Sequence, residues 1–298
     1  MKRGTVQQIK QDRVVEIYYP DAGQIIYERN RKNCVRPYRL LECETFIKHV
    51  VEEFHNKDLS LDAICGRALK TGAFSREEMV CTKTLYNYVD QGLLGIINLD
   101  LPLKVRCSTK PPRVREHKKQ LGDSIDERPE HINDRSEFGH WEIDTVLGKK
   151  AGSEAALLTL TERMTRKEII VKIPSKTVTA VHEALIDLVS IYGKESPAIF
   201  KSITSDNGSE FSALASLEKE LKTKIYFAHP YSSCERGTNE RHNGLIRRFI
   251  PKGKSLKGIS SESIARVERW CNSLPRRILD YLTPDEAFSN QLALISTP

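Results

Sequence analysis

Three acidic residues stand in surroundings suited to metal-assisted chemistry. They are Asp144 in His140-Trp-Glu-Ile-Asp144-Thr-Val, Asp206 in Ser205-Asp-Asn-Gly-Ser-Glu-Phe211, and Glu240 in Arg236-Gly-Thr-Asn-Glu240-Arg-His-Asn-Gly-Leu-Ile-Arg247. Between the second acid and the third lie 33 residues. Carboxylates that converge are the hard oxygen ligands that a pair of Mg²⁺ ions requires, and such ions drive in-line attack at phosphodiesters. The surrounding sequence must therefore supply elements that bring the three together.

The elements follow in a definite order from about residue 138. Trp141–Leu147, Ala155–Thr161 and Glu168–Ile173 are strand-like and closely connected, which predicts an antiparallel meander. Val181, Ala184, Leu185, Leu188, Val189 and Tyr192 recur at helical spacing. A strand near Ile199–Ile203, a helix with Phe211, Leu214, Leu217 and Leu221, a strand Lys224–Ala228 and the helix containing Glu240 complete the series. This order, βββαβαβα, matches the ribonuclease H-like fold, an α/β architecture built on a mixed sheet.

Each acid also has a plainer explanation. Strand side chains alternate, so His140, Glu142 and Asp144 share one face, which solvent alone would explain. Asp206-Asn-Gly208 is a strong hairpin signal, but the chain continues toward a helix rather than a partner strand. A carboxylate at the end of a strand is where open α/β sheets place ligands. Glu240 competes with Glu235. At about 100° per residue, Glu240, Asn243, Gly244 and Arg247 fall on one helix face, with Leu245, Ile246 and Phe249 opposite. Ser232 and Glu235 instead have the spacing of a helix-capping pair.

The N-terminal half reads differently. Residues 1–39 are poorly patterned: Val14–Tyr19 suits a short strand or helix, and Arg29–Asn33 is basic and turn-like. Residues 40–103 carry short helices around Phe46–Phe54, Ser60–Leu69 and Thr82–Val89, with Ser75 and Glu78 at the spacing that starts a helix. A helical trio with a Gly-containing turn suits a helix-turn-helix DNA-binding region. In the last helix Leu85, Tyr86 and Val89 form the buried stripe, leaving Lys83, Thr84 and Asn87 exposed for DNA. Residues 104–127 form a basic linker: seven Lys/Arg fall between Lys104 and Lys119 against the single Glu116, beside Pro111-Pro112. It suits a solvated tether or, through Arg113, Arg115, Lys118 and Lys119, a segment tracking phosphates. Residues 128–290 then form the core.

Composition narrows the class. The chain has 298 residues, 39% hydrophobic and 29% charged, with a net charge of +7. No apolar run approaches the roughly 20 residues of a membrane span, and the first residues hold no secretory apolar segment. Its seven cysteines are scattered without a Cys-x-x-Cys pair, which disfavours a zinc or disulfide framework and indicates a cytoplasmic protein.

The three acidic segments, continued by Pro251-Lys-Gly253, resemble the three signatures of the IS-thirty family of bacterial insertion-sequence transposases. Leu274–Phe288 resembles the family's closing element and Thr84–Leu93 its second helix-turn-helix. Family members carry a further helix-turn-helix before a segment like Arg3-Gly-Thr-Val, so the resemblance suggests an N-terminally truncated or alternatively started chain. The resemblance implies an integrase-type DDE core that cleaves and joins DNA without a covalent protein intermediate. Asp144 would bridge two Mg²⁺ ions (Mn²⁺ as substitute) about 3.5–4 Å apart, Asp206 and Glu240 each holding one. Asn243 and Arg247 are placed to orient the glutamate or touch phosphate, with Arg248 extending the basic edge, and Glu142 is an extra acid with a structural alternative. The implied partners are double-stranded DNA, both transposon ends and target, and further copies of the chain on that DNA. The implied location is the bacterial nucleoid. The alternatives are a non-catalytic DNA-binding repressor and a nuclease of the same fold.

Overall fold

A five-stranded mixed sheet organises the C-terminal half of the chain. The computed structural model describes residues 5–10, 13–33, 38–101, 121–149, 154–229 and 237–296. Arg113, Arg115, Lys118, Lys119 and Glu235 lie outside that set.

Residues expected to be poorly patterned form a hairpin, β1 (Thr5–Lys10) with β2 (Arg13–Tyr18), followed by helix α1 (Pro20–Asn33). Pro20 opens the helix, where a missing N–H costs nothing. The turn-like reading of Arg29–Asn33 is corrected: Arg31 and Lys32 lie in the last helical turn, where cations complement the helix dipole.

Helices α2 (Glu44–Lys57), α3 (Leu61–Thr71) and α4 (Thr82–Asp90) pack round Phe46, Val50, Leu61, Ile64, Leu85 and Val89. Ser60 caps α3, its hydroxyl accepting from the Ala63 N–H at 3.2 Å, and Gly72 at φ +69° ends it. Ser75 and Glu78 do not start a helix. The Ser75 N–H donates to Glu78 Oε2 at 2.8 Å, but the chain then bends to bury Met79 and Val80. In α4 the buried stripe is Leu85, Tyr88 and Val89, Tyr86 being only partly covered.

This helical unit docks on the C-terminal elements. Arg67 donates to Glu286 at 2.9 Å and to the Tyr281 carbonyl at 3.1 Å, and Trp270 Nε1 donates to the Lys57 carbonyl at 3.2 Å. The Tyr281 ring lies where a Cβ on Gly66 would stand, 2.1 Å from its nearest atoms. Only a glycine lets that ring approach α3 so closely.

In the sheet, β3 (His140–Leu147), β4 (Ala156–Glu162) and β5 (Glu168–Ile173) form the expected antiparallel meander. Helix α5 (Val178–Ser190), capped by Thr177, follows. The next strand begins later than the sequence suggests. Pro197 favours a single helical turn, α6 (Ser196–Ile199), and β6 runs over Ser202–Ser205. Phe211, Leu214 and Leu217 are spaced strictly by three, the 3₁₀ period, and the expected helix is two 3₁₀ turns and a short α7 (Glu218–Leu221). Strand β7 (Lys224–Phe227) pairs parallel with β6, as β6 does with β3. Helices α8 (Gly237–Phe249), α9 (Ser261–Ser273) and α10 (Pro284–Ser296) close the chain.

The last part of the supposed linker belongs to the core. Ser124 bridges to Phe227, and the Phe227 N–H donates to the Asp123 carbonyl at 2.9 Å. No helix among the described residues is long and apolar enough to cross a membrane.

Candidate active site

The two faces of β3 have different fates. Trp141 and Ile143 point into an apolar core with Leu158, Leu160, Ile203 and Ile225, and Trp141 Nε1 donates to the Ile199 carbonyl at 2.7 Å. His140, Glu142 and Asp144 share the other face, and α8 lies across it. The parallel register pairs His140 with Ser202, Trp141 with Ile203 and Glu142 with Thr204. Continued two residues, it sets Asp144 level with Asp206, just beyond the end of β6. Neighbouring strands stand about 4.8 Å apart and paired residues share a face. Two aspartates 62 residues apart in sequence thus become neighbours through strand pairing alone.

Each aspartate is held by its surroundings. Asp144 Oδ1 accepts from the Thr145 N–H at 2.8 Å, and Asp144 Oδ2 accepts from Asn243 Nδ2 at 2.8 Å. Asp206 Oδ1 accepts from the Gly208 N–H at 2.9 Å. Asn207 pins the loop by accepting from the Leu121 N–H at 3.1 Å and donating to the Ala228 carbonyl at 2.6 Å.

Helix α8 places the position of Glu240 one turn before Asn243 on the same face. Ile246 is fully buried beneath it, and His242 Nδ1 lies 2.7 Å from Glu168 Oε2 on β5. Phe249 departs from the expected apolar anchor: it is 44% exposed and meets Trp270 edge-on at 4.8 Å. Asn243 orients Asp144. Arg247 is half-buried at the helix end. Burial lowers the pKa of its guanidinium, and the Asp144 charge opposes that shift.

Glu142 is a structural acid, fully buried. It accepts from Arg163 Nη1 at 2.7 Å and from the Asn239 N–H of α8 at 3.3 Å. Arg166 Nη1 donates to Thr238 Oγ1 at 2.9 Å. Burial depresses both guanidinium pKa values, that of Arg166 to about 10. Two buried arginines and one carboxylate therefore fix the start of the helix that carries Glu240. Sequence reading did not find Arg163 and Arg166, because they lie in an ordinary-looking turn between β4 and β5.

Glu210 was also missed. It is buried; its Oε1 accepts from Thr145 Oγ1 at 2.8 Å and pairs with Lys176 Nζ at 2.9 Å. Glu210 Oε2 and Asn243 Oδ1 are buried without a hydrogen-bond partner among the described residues. The available signal was an acid four residues after Asp206 in a turn too tight for solvent. A Cβ at Gly208 would lie 2.6 Å from Glu210 Oε2 and 2.9 Å from Asp206 Oδ1. Gly208→Ala is therefore expected to destabilise the protein by about 1–3 kcal/mol through overpacking. Thermal denaturation checks this; an unchanged Tm would show that Glu210 swings aside freely.

Of the candidate DNA contacts, Lys83 and Asn87 are exposed on α4, while Thr84 is partly covered, with its hydroxyl 3.2 Å from Cys81 Sγ. Arg248 is exposed and lies 5.5 Å from the Trp270 ring centroid.

An open mixed sheet with this strand order, and with two aspartates brought level on its central parallel pair, defines a ribonuclease H-like core. Residues 134–233 match the integrase core domain family. The chain is 48% identical over 207 residues to the probable transposase for insertion-like sequence element IS1161 of Streptococcus salivarius, covering 70% of this chain and 58% of that protein. It is 40% identical over 164 residues to the transposase for insertion sequence element IS4351 of Bacteroides fragilis, covering 55% and 48%. To the transposase InsI for insertion sequence element IS30A of Escherichia coli it is 35% identical over 173 residues, covering 58% and 44%. Over these segments the chain is similar to IS30-type insertion-sequence transposases and carries an integrase core domain. It spans about half the length of these curated relatives. An integrase-type core implies dependence on a divalent metal. Orphaned buried oxygens beside two aspartates are the donor chemistry that a hard cation satisfies.

Proposed function

We propose that this chain is a DDE transposase that cleaves DNA at the ends of an insertion sequence and joins it to target DNA. The observation that supports the reading is the β3–β6 register, which continued two residues sets Asp144 level with Asp206, together with the packing on β3 of the helix that carries Glu240. Asp144, Asp206 and Glu240 would hold two Mg²⁺ ions, with Mn²⁺ as a substitute. When bound, such ions activate an attacking water or 3′-hydroxyl and neutralise charge at the leaving oxygen.

The chain's own residues supply the positioning. Asn243 holds the Asp144 carboxylate from α8, which couples that strand acid to the helix on which Glu240 stands. Glu142 fixes the start of α8 without facing solvent. Glu210, placed by Thr145 and Lys176, stands beside Asp206 as a further oxygen. Arg247 supplies positive charge next to Asp144, suited to the DNA backbone. Binding alone would require none of these carboxylates.

Double-stranded DNA, as transposon end and target, is the proposed substrate, engaged by several copies of the chain in the nucleoid. Lys83, Thr84 and Asn87 of α4 are the proposed base-reading contacts. Arg113, Arg115, Lys118 and Lys119 are the proposed phosphate contacts. Changing those four to Ala is expected to weaken binding to every sequence alike. The slope of log affinity against log salt would flatten by roughly 0.9 per lost contact; an unchanged slope would make the segment a tether.

The test of function is a strand-transfer assay with labelled end DNA, Mg²⁺ and supercoiled target. Joined products that vanish with chelator are expected. Cleaved ends that never join would reduce the protein to a nuclease.

A further inference from the structure

We propose that His131, Glu137 and His140 form a second metal site, selective for a transition-metal ion such as zinc and separate from the Asp144–Asp206 acids. The Nε2 atoms of His131 and His140 each lie 3.0 Å from Glu137 Oε2. All three ligand atoms fall within 4.8 Å of one another. A tetrahedral zinc ion with bonds of about 2.0–2.2 Å holds its ligands roughly 3.3–3.6 Å apart. Small side-chain movements thus open the cluster to an ion, with water or a further group in the fourth position.

The ligand set chooses the ion. Two imidazole nitrogens and one carboxylate suit zinc or cobalt, whereas Mg²⁺ prefers an all-oxygen shell. The second nitrogen of His140, Nδ1, lies 2.7 Å from Ser202 Oγ. A hydroxyl donates or accepts, so Ser202 supports the tautomer that turns the Nε2 lone pair toward an ion. Lys201 Nζ pairs with the other carboxylate oxygen, Glu137 Oε1, at 2.7 Å, which orients the carboxylate and leaves Oε2 for the ion.

Position separates this site from the chemistry at Asp144. Four residues along a strand span about 13 Å, too far for one ion to bind both His140 and Asp144. The ion would clamp the turn Glu130–Ile132 to the start of β3, and so brace the strand that carries Glu142 and Asp144. The proposal stands whether or not the chain transposes DNA.

The test is a Co²⁺ titration of the full chain carrying D144N, D206N and E240Q, which removes the competing acids. One equivalent is expected to bind with the intense visible absorption of a four-coordinate nitrogen and oxygen site. Zn²⁺ is expected to displace it and Mg²⁺ to leave it in place. His131 has a side chain 61% exposed, so adding His131→Ala leaves folding intact; affinity is then expected to fall at least tenfold. Zn²⁺ is expected to raise the Tm only where His131 is present. Where the triple substitution fails to fold, the unmodified chain in excess Mg²⁺ takes its place. Equal Co²⁺ binding with and without His131, or only the pale absorption of a six-coordinate ion, would overturn the proposal.

Discussion

Asp144→Asn, Asp206→Asn and Glu240→Gln are each expected to reduce cleavage and joining by on the order of a thousandfold or more, with folding and DNA binding retained. Each swap preserves size and removes the charge that would hold the cation. The Asn243–Asp144 hydrogen bond gives the series an internal control. Asn243→Ala leaves all three acids in place but removes one of the hydrogen bonds that orient the Asp144 carboxylate, so a smaller loss is expected. Glu235→Gln is expected to remain active. Near-normal activity in Glu240→Gln with loss in Glu235→Gln would move the third role to Glu235.

Arg163→Ala is expected to cost about 3–5 kcal/mol of stability, because it leaves Glu142 as an uncompensated buried charge. The pair is almost wholly removed from solvent, with side chains 4% and 0% exposed. The damage should extend to function, since Glu142 also receives the Asn239 N–H at the start of α8. Pairing Arg163→Met with Glu142→Gln removes both charges and is expected to recover most of the Tm, since the glutamine oxygen still accepts from the Asn239 N–H and Arg166 still holds Thr238. Chemical denaturation of the single and double variants measures the coupling. A single variant as stable as the parent would show that water already reaches Glu142.

The sequence made some of this plain and hid the rest for physical reasons. The meander β3–β5 and helix α5 were legible because their periodicities are local and their turns short. The place of Asp206 just after a strand was legible because the residues that follow deny a hairpin its partner strand. The pairing of β3 with β6 is non-local, so no window of sequence shows Asp144 level with Asp206. Glu142 and Asp144 share one face of one strand beneath α8, yet one is buried and locked to Arg163 and the other is only partly covered and held by Asn243. Alternation cannot tell them apart; only the packing of α8 and the β4–β5 turn does. The threefold spacing of Phe211, Leu214 and Leu217 was visible but read as an α-helix, whose period differs by less than one residue per turn. Edge protection of β5 was likewise hidden, since Glu268 and Asn272 reach it from α9, receiving the Ile170 and Glu168 N–H groups at 2.7 and 2.8 Å.

The most direct test of the central claim is anomalous diffraction from crystals of the full chain grown with end DNA and Mn²⁺. The account predicts Mn²⁺ density contacting both Asp144 and Asp206, with Glu240 completing the cluster and the density lost in Asp144→Asn. Mn²⁺ that binds elsewhere while the two aspartates stay bare, in a complex that still cleaves its DNA, would contradict it.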